Sequence, residues 1–133
     1  DNADAMKIIG YIATEVGQVC KAAGGYFEQL PSFHLDFDQL LKKGNSSAEK
    51  CLVDLFRNSY GDLRTAKAGM LQDLEKGRKT EIDFLNGYIC ELGRKFQVPT
   101  PVNDRIVASI HTLENEKCPQ KFSKTLESFF QVK

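Results

Sequence analysis

Ile82, Leu85, Ile89, Leu92 and Phe96 are spaced by three, four, three and four residues. That repeat is one face of an α-helix held over four turns, and it fits no strand. Elsewhere in the chain no segment alternates with period two. The expectation is therefore an all-α, multi-helix fold. Met6, Ile9, Ala13, Val16 and Cys20 make a similar stripe near the start. Asn2 or Asp4 is a candidate cap for that helix, and Gly24-Gly25 its stop.

The clearest helix is introduced by "EKGRKTEIDFLNG", Glu75 to Gly87, in which bases are followed by acids. Thr80 and Asp83 have the spacing of a capping box: the hydroxyl takes the N3 amide and the N3 acid reaches back. Lys76, Arg78 and Lys79 suit the negative end of the preceding helix, with Gly77 as its left-handed stop. On this reading the cap uses Thr80 and Asp83. Glu81, at the first helical position, is left over.

The remaining elements are shorter. His34 to Lys43 reads as a helix stopped by Gly44-Asn45. Ser46 with Glu49 opens another through Cys51, Leu52, Leu55 and Phe56, which Gly61 breaks or kinks. A further helix carries Leu63, Ala66, Met70, Leu71 and Leu74. Val98 to Asn103, "VPTPVN", reads as a rigid connector because of its two prolines. Ile106, Val107, Ile110 and Leu113 then form a short helix, and a weak tail helix follows Pro119.

With 133 residues, one domain is expected over residues 1–133, without internal repeats or linkers. Eighteen bases against eighteen acids give no pull toward nucleic acid or a membrane surface. No apolar run is long enough to span a bilayer or to serve as a secretory signal. Cys20, Cys51, Cys90 and Cys118 lack zinc-site spacing; they read as small buried hydrophobes in a reducing, cytoplasmic setting. No metal ligand set is expected. His34 and His111 are isolated and read as core or surface residues. No Gly-rich turn after a strand, Walker motif, zincin motif or G-x-S-x-G appears, so the chain by itself holds no dinucleotide pyrophosphate cradle.

One segment says more. "GMLQDLEKGRKTEIDFLNGYICELGRKFQVPTPVN", Gly69 to Asn103, closely resembles the C-terminal domain of the ketopantoate reductase (2-dehydropantoate 2-reductase) family. Met70-Leu71-Gln72-Asp73, Thr80-Glu81-Ile82-Asp83, Asn86-Gly87 and Pro99 to Asn103 match its pattern without a gap. About thirty-five residues match tightly, and residues 1 to 115 match more loosely by helix order. The resemblance implies a helical domain of the 6-phosphogluconate dehydrogenase C-terminal-like type. It also implies a partner, an N-terminal Rossmann domain of the same parent chain that binds NADPH. Hydride would pass to the 2-oxo group of ketopantoate, giving pantoate for pantothenate and coenzyme A.

Residue by residue, the glutamate of T-E-I-D that contacts the cofactor maps onto Glu81. A carboxylate can accept from two adjacent ribose hydroxyls, a chemical reason for an acid there. The family's substrate-binding serine falls on Gly69, which has no hydroxyl. The catalytic lysine, with substrate-holding asparagines, maps ahead of Asp1, so no catalytic residue is assigned here; Lys7, on the following helix, reads as solvated. A start at Asp1 rather than Met suggests a processed or cut piece, or a cloning scar ahead of Met6. On its own, such a piece is expected to be inactive and to self-associate through apolar surface, and a homodimer is a further expectation. Two other readings stand beside the reductase: a stand-alone helical interaction or dimerisation module, and a reductase of another branched 2-oxo acid.

Overall fold

The computed structural model describes residues 3–27 and 68–116, with side-chain exposure from residue 7 to 27 and 68 to 115. Among the described residues, four α-helices and one π-helical turn make up the regular structure, and no strand occurs. α1 is Ala3–Ala22, α2 Gly69–Glu75, α3 Tyr88–Lys95 and α4 Pro101–Glu116, with the π-turn Asp83–Gly87 leading into α3. The expected helices over His34–Lys43 and Ser46–Phe56, Gly61, Leu63, Ala66, the tail helix, Cys51, Cys118 and His34 lie outside the described residues.

Helix ends follow the glycine signals. Gly24 has φ +81, and the Gly25 N–H donates to the Cys20 carbonyl at 2.9 Å, closing α1 with a Schellman turn. Gly77, at φ +64, does the same for α2, with the Arg78 N–H on the Asp73 carbonyl at 2.8 Å. Asp4 lies within α1 and is not its cap. α2 starts later than the apolar spacing implies, because Ala68 is extended at φ −59, ψ 143.

The π-turn changes the burial register. The Gly87 N–H donates to the Ile82 carbonyl at 2.9 Å, five residues back, so the turn holds one residue more than an α-turn. Downstream positions rotate accordingly. Ile82 is 1% exposed and Cys90 2%, and Gly93 is also buried, whereas Leu85 is 49% exposed. Ile89 and Leu92 are half-buried, and Phe96 lies at the surface. The stripe expected from sequence thus holds at Ile82 and slips at Leu85 and Phe96. On α1 the stripe Ile9, Ala13, Val16 and Cys20 is half-buried, while Val19 is fully buried and Glu15 is buried with it.

Gly93 lets α3 meet the chain that returns to α4. A Cβ there would stand 2.7 Å from Thr100 Cγ2 and 2.8 Å from the Val98 carbonyl oxygen. Gly93→Ala is expected to cost about 1–3 kcal/mol through overpacking; urea unfolding measures it, and a loss under about 0.5 kcal/mol would show that the contact yields freely.

The "VPTPVN" connector is shorter than expected and α4 longer. Only Val98–Thr100 is non-helical; Pro101 opens the helix at N1, where its missing N–H and fixed φ suit helix entry. The cap comes from α1. Glu15, 7% exposed, accepts from the Val102 N–H at 2.8 Å, the Asn103 N–H at 2.9 Å and Asn103 Nδ2 at 2.6 Å. α1 and α4 are thereby joined by a buried carboxylate set on a helix N-terminus, where the dipole favours negative charge.

Candidate functional site

The Thr80–Asn86 segment lies against α4, and α4 takes up its polar side chains one by one. Thr80 starts the turn. Its hydroxyl accepts from the Ile82 N–H at 3.3 Å, as an N-cap does. Both halves of the expected capping box differ: the hydroxyl takes the N–H of Ile82 rather than that of Asp83, and the reciprocal acid is replaced. The acid that receives the Thr80 N–H is Glu114 of α4, at 2.7 Å, and the same oxygen accepts from the Thr80 hydroxyl at 2.8 Å. Asp83 is instead held from α4 by His111, with Nε2 to Oδ1 at 2.8 Å. The π-turn carries the Asp83 side chain toward α4 rather than back over Thr80.

Asn86 closes the segment. Its Nδ2 donates to Asn103 Oδ1 at 2.8 Å, and Asn103 is fully buried with its own amide on Glu15. A continuous polar path runs from α1 through α4 to the Asn-Gly pair. Ile82, between the two grips on Thr80 and Asp83, fills the core below.

Glu81 stands apart from this. It is exposed, and its carboxylate has no hydrogen-bond or ion-pair partner among the described residues. Its carbonyl stays within the turn, accepting from the Phe84 and Leu85 N–H groups at 3.0 and 3.1 Å. Of the two acids in the segment, Asp83 is engaged by α4 and Glu81 is without a partner among the described residues, although the cap is assembled from Glu114. At helical spacing from Glu81, Phe84, Leu85 and Tyr88 are 84%, 49% and 53% exposed.

Of the three bases ahead of the turn, Arg78 is the one shown to engage α2, whose last turn itself holds no base. Arg78 folds back onto Asp73, with Nε and a terminal nitrogen 3.0 and 2.6 Å from Oδ1. Gly69 is exposed at the first position of α2, and nothing lies within 4 Å of where its Cβ would be. The structure therefore does not seat Glu81 against Gly69. Lys7 is exposed on α1. Cys20 and Cys90 are free thiols; burial pushes the Cys90 thiol up, which keeps it protonated and unreactive at neutral pH. No group of three His, Cys, Asp or Glu fit to hold a metal occurs among the described residues.

Sequence reasoning missed Glu15, Asn103, His111 and Glu114. Glu15 did leave a signal: it falls on the Ile8, Ile12, Glu15, Val19 repeat, where an acid must be paired if buried. His111 and Glu114, three residues apart on one helix, left none, since their partners lie about thirty residues away.

The family described as "Ketopantoate reductase PanE/ApbA C terminal" matches residues 1–114. The chain belongs to this family. Its all-helical fold is of the 6-phosphogluconate dehydrogenase C-terminal-like type. Similar proteins include a "2-dehydropantoate 2-reductase" of Mesorhizobium japonicum, 46% identical over 65 residues, or 49% of this chain and 20% of that protein. Another of the same name, from Aquifex aeolicus, is 51% identical over 45 residues, or 34% of this chain and 14% of its own. An "Uncharacterized oxidoreductase YkpB" of Bacillus subtilis is 35% identical over 79 residues, 59% of this chain and 26% of that protein. The matched segments thus span between 14% and 26% of these relatives' lengths. No solved structure matches the chain significantly. Among the described residues, no helix is long and apolar enough to cross a membrane.

Proposed function

We propose that the chain is the C-terminal domain of a cytoplasmic NADPH-dependent reductase that converts ketopantoate to pantoate, with a Rossmann domain of the same parent as its partner. The observation that carries this reading is Glu81. Among the described residues it is an unpartnered acid in a segment whose other polar side chains are all engaged by α4. Family membership and relatives named as 2-dehydropantoate 2-reductases support it.

The described residues fit the cofactor as one contact, not as a complete site. Glu81 offers two acceptor oxygens to a ribose diol; a pyrophosphate cradle is not among the described residues. NADPH, when bound, supplies the hydride. This chain's part is to orient the cofactor at Glu81, and the exposed Phe84, Leu85 and Tyr88, three, four and seven residues further on, would meet the dinucleotide domain. By the family pattern Gly69 takes the position of the substrate-binding serine, and the substrate would be received there.

NADPH-dependent reduction of ketopantoate by the protein carrying this domain is the direct test. Turnover of ketopantoate supports the reading. Turnover of another branched 2-oxo acid keeps the reductase and changes its substrate, and absence of both NADPH binding and reduction leaves the interaction module. The Gly69→Ser variant sharpens the substrate question. Gly69 has no positive φ and open space at its Cβ, so serine is accepted without strain. Its kcat/KM for ketopantoate is expected to rise by a few-fold to about thirty-fold, the worth of one net hydrogen bond plus some orientation. A variant of unchanged melting temperature with no gain would remove the substrate from Gly69.

A further inference from the structure

We propose that His111 and Glu114 of α4 are positioning residues for Glu81, acting through Asp83 and Thr80; this rests on the reading that Glu81 receives the cofactor. Neither side chain bonds Glu81. They grip the residues on either side of the Glu81-Ile82 pair: Glu114 holds the Thr80 N–H and hydroxyl at 2.7 and 2.8 Å, and His111 holds Asp83 at 2.8 Å. Ile82, 1% exposed, anchors the turn between them. With Ile82 turned into the core, its neighbour Glu81 is carried outward, and both grips must slip before that direction changes.

The gripping residues belong together on α4. At 100° per residue, Asn103, His111 and Glu114 fall within an arc of about 80° on the helix surface. Asn103 adds a third hold, through Asn86. A single helix face thus fixes the start, middle and end of the segment that bears Glu81. The strongest grip is the first. A carboxylate accepting a backbone N–H makes a charge-assisted bond, and the first N–H groups of a helix have no partner of their own. Without Glu114, the Thr80 amide and hydroxyl turn to water and the entry to the turn frays. Glu81 would then be ordered only when the cofactor binds, and that ordering is subtracted from affinity.

The readout is the Michaelis constant for NADPH in the protein that joins this domain to its dinucleotide-binding domain. Glu114→Ala is expected to raise it about five- to ten-fold with kcat nearly unchanged, and His111→Ala about three-fold. Glu114→Gln, which keeps an acceptor for Thr80, is expected to restore most of the affinity. In a Glu81→Gln background, neither alanine variant should raise KM further, since the residue they position no longer makes its bond. A merely structural role gives the opposite pattern: the same factor in both backgrounds, with kcat falling as well. That pattern, or an unchanged KM in Glu114→Ala and His111→Ala, overturns the proposal. His111 and Asp83 are both solvent-exposed, so His111→Ala stays folded and decides the matter if Glu114→Ala does not fold. An unchanged KM in Glu81→Gln itself removes the cofactor reading and the proposal with it, an outcome distinct from failure at Glu114 and His111 alone.

Discussion

Replacing Glu15 by alanine is expected to destabilise the domain by about 3–5 kcal/mol, a large fraction of the roughly 5–15 kcal/mol that holds a domain of this size together. The carboxylate is 7% exposed and accepts the Val102 N–H, the Asn103 N–H and the Asn103 side-chain amide. Deleting it orphans three donors at once. A buried polar group without a partner costs about 1–3 kcal/mol, and loss of an N-cap about 0.5–2 kcal/mol. These costs overlap, and a water entering the vacated space recovers part of them, hence a total below their sum. Glu15→Gln is the informative companion. It keeps one acceptor oxygen but turns an NH2 donor toward donors, and about 2 kcal/mol is expected. Chemical unfolding of the 133-residue chain, followed by far-UV circular dichroism, measures both. A loss of less than about 1 kcal/mol for the alanine variant would mean that solvent caps α4 unaided.

Glu15 also shows where sequence reading stopped. The all-α class, the ends of α1 and α2 at Gly24 and Gly77, and the Thr80 hydroxyl at the start of its turn were all legible, because each is decided by residues a few positions apart. What escaped was decided at long range. The acid that completes the Thr80 cap is Glu114, 34 residues away, and the acid that caps α4 is Glu15, 87 and 88 residues from its partners. A local rule assigned Asp83 to the first task because it stands at the right offset, and no offset points to Glu114.

The π-turn defeated periodicity in another way. Counting by 3.6 residues carries burial from Ile82 to Leu85; one added residue brings Asn86 inward to Asn103 and leaves Leu85 outside. Proline misled through its two meanings. Pro99 lies in the connector, whereas Pro101 is a helix start, and the sequence alone treated both as breakers. Elimination leaves Glu81 over even though it assigns the wrong acid to the cap, and the cofactor role comes only from the family resemblance. The neighbours of Glu81 are polar residues that a fold consumes, and an acid at the first helical position faces away from whatever consumes them.

Glu81→Gln, in the protein that carries this domain, is expected to raise the KM for NADPH by about ten- to a hundred-fold while slowing kcat far less. A hydrogen bond to a charged acceptor is worth about 1.5–3 kcal/mol, which at 1.4 kcal/mol per decade gives that range. Glutamine matches glutamate in shape and keeps one acceptor oxygen, so the loss isolates the charge and the second acceptor rather than the packing. The domain itself should hardly notice. Glu81 is exposed and has no partner among the described residues, so stability is expected to change by no more than about 0.5 kcal/mol, apart from its share of the helix dipole. The two accounts of Glu81 therefore separate cleanly. If the acid serves only the dipole of its own turn, the melting temperature falls slightly and the cofactor KM stays where it was. If it receives the ribose, the melting temperature stays and the KM moves.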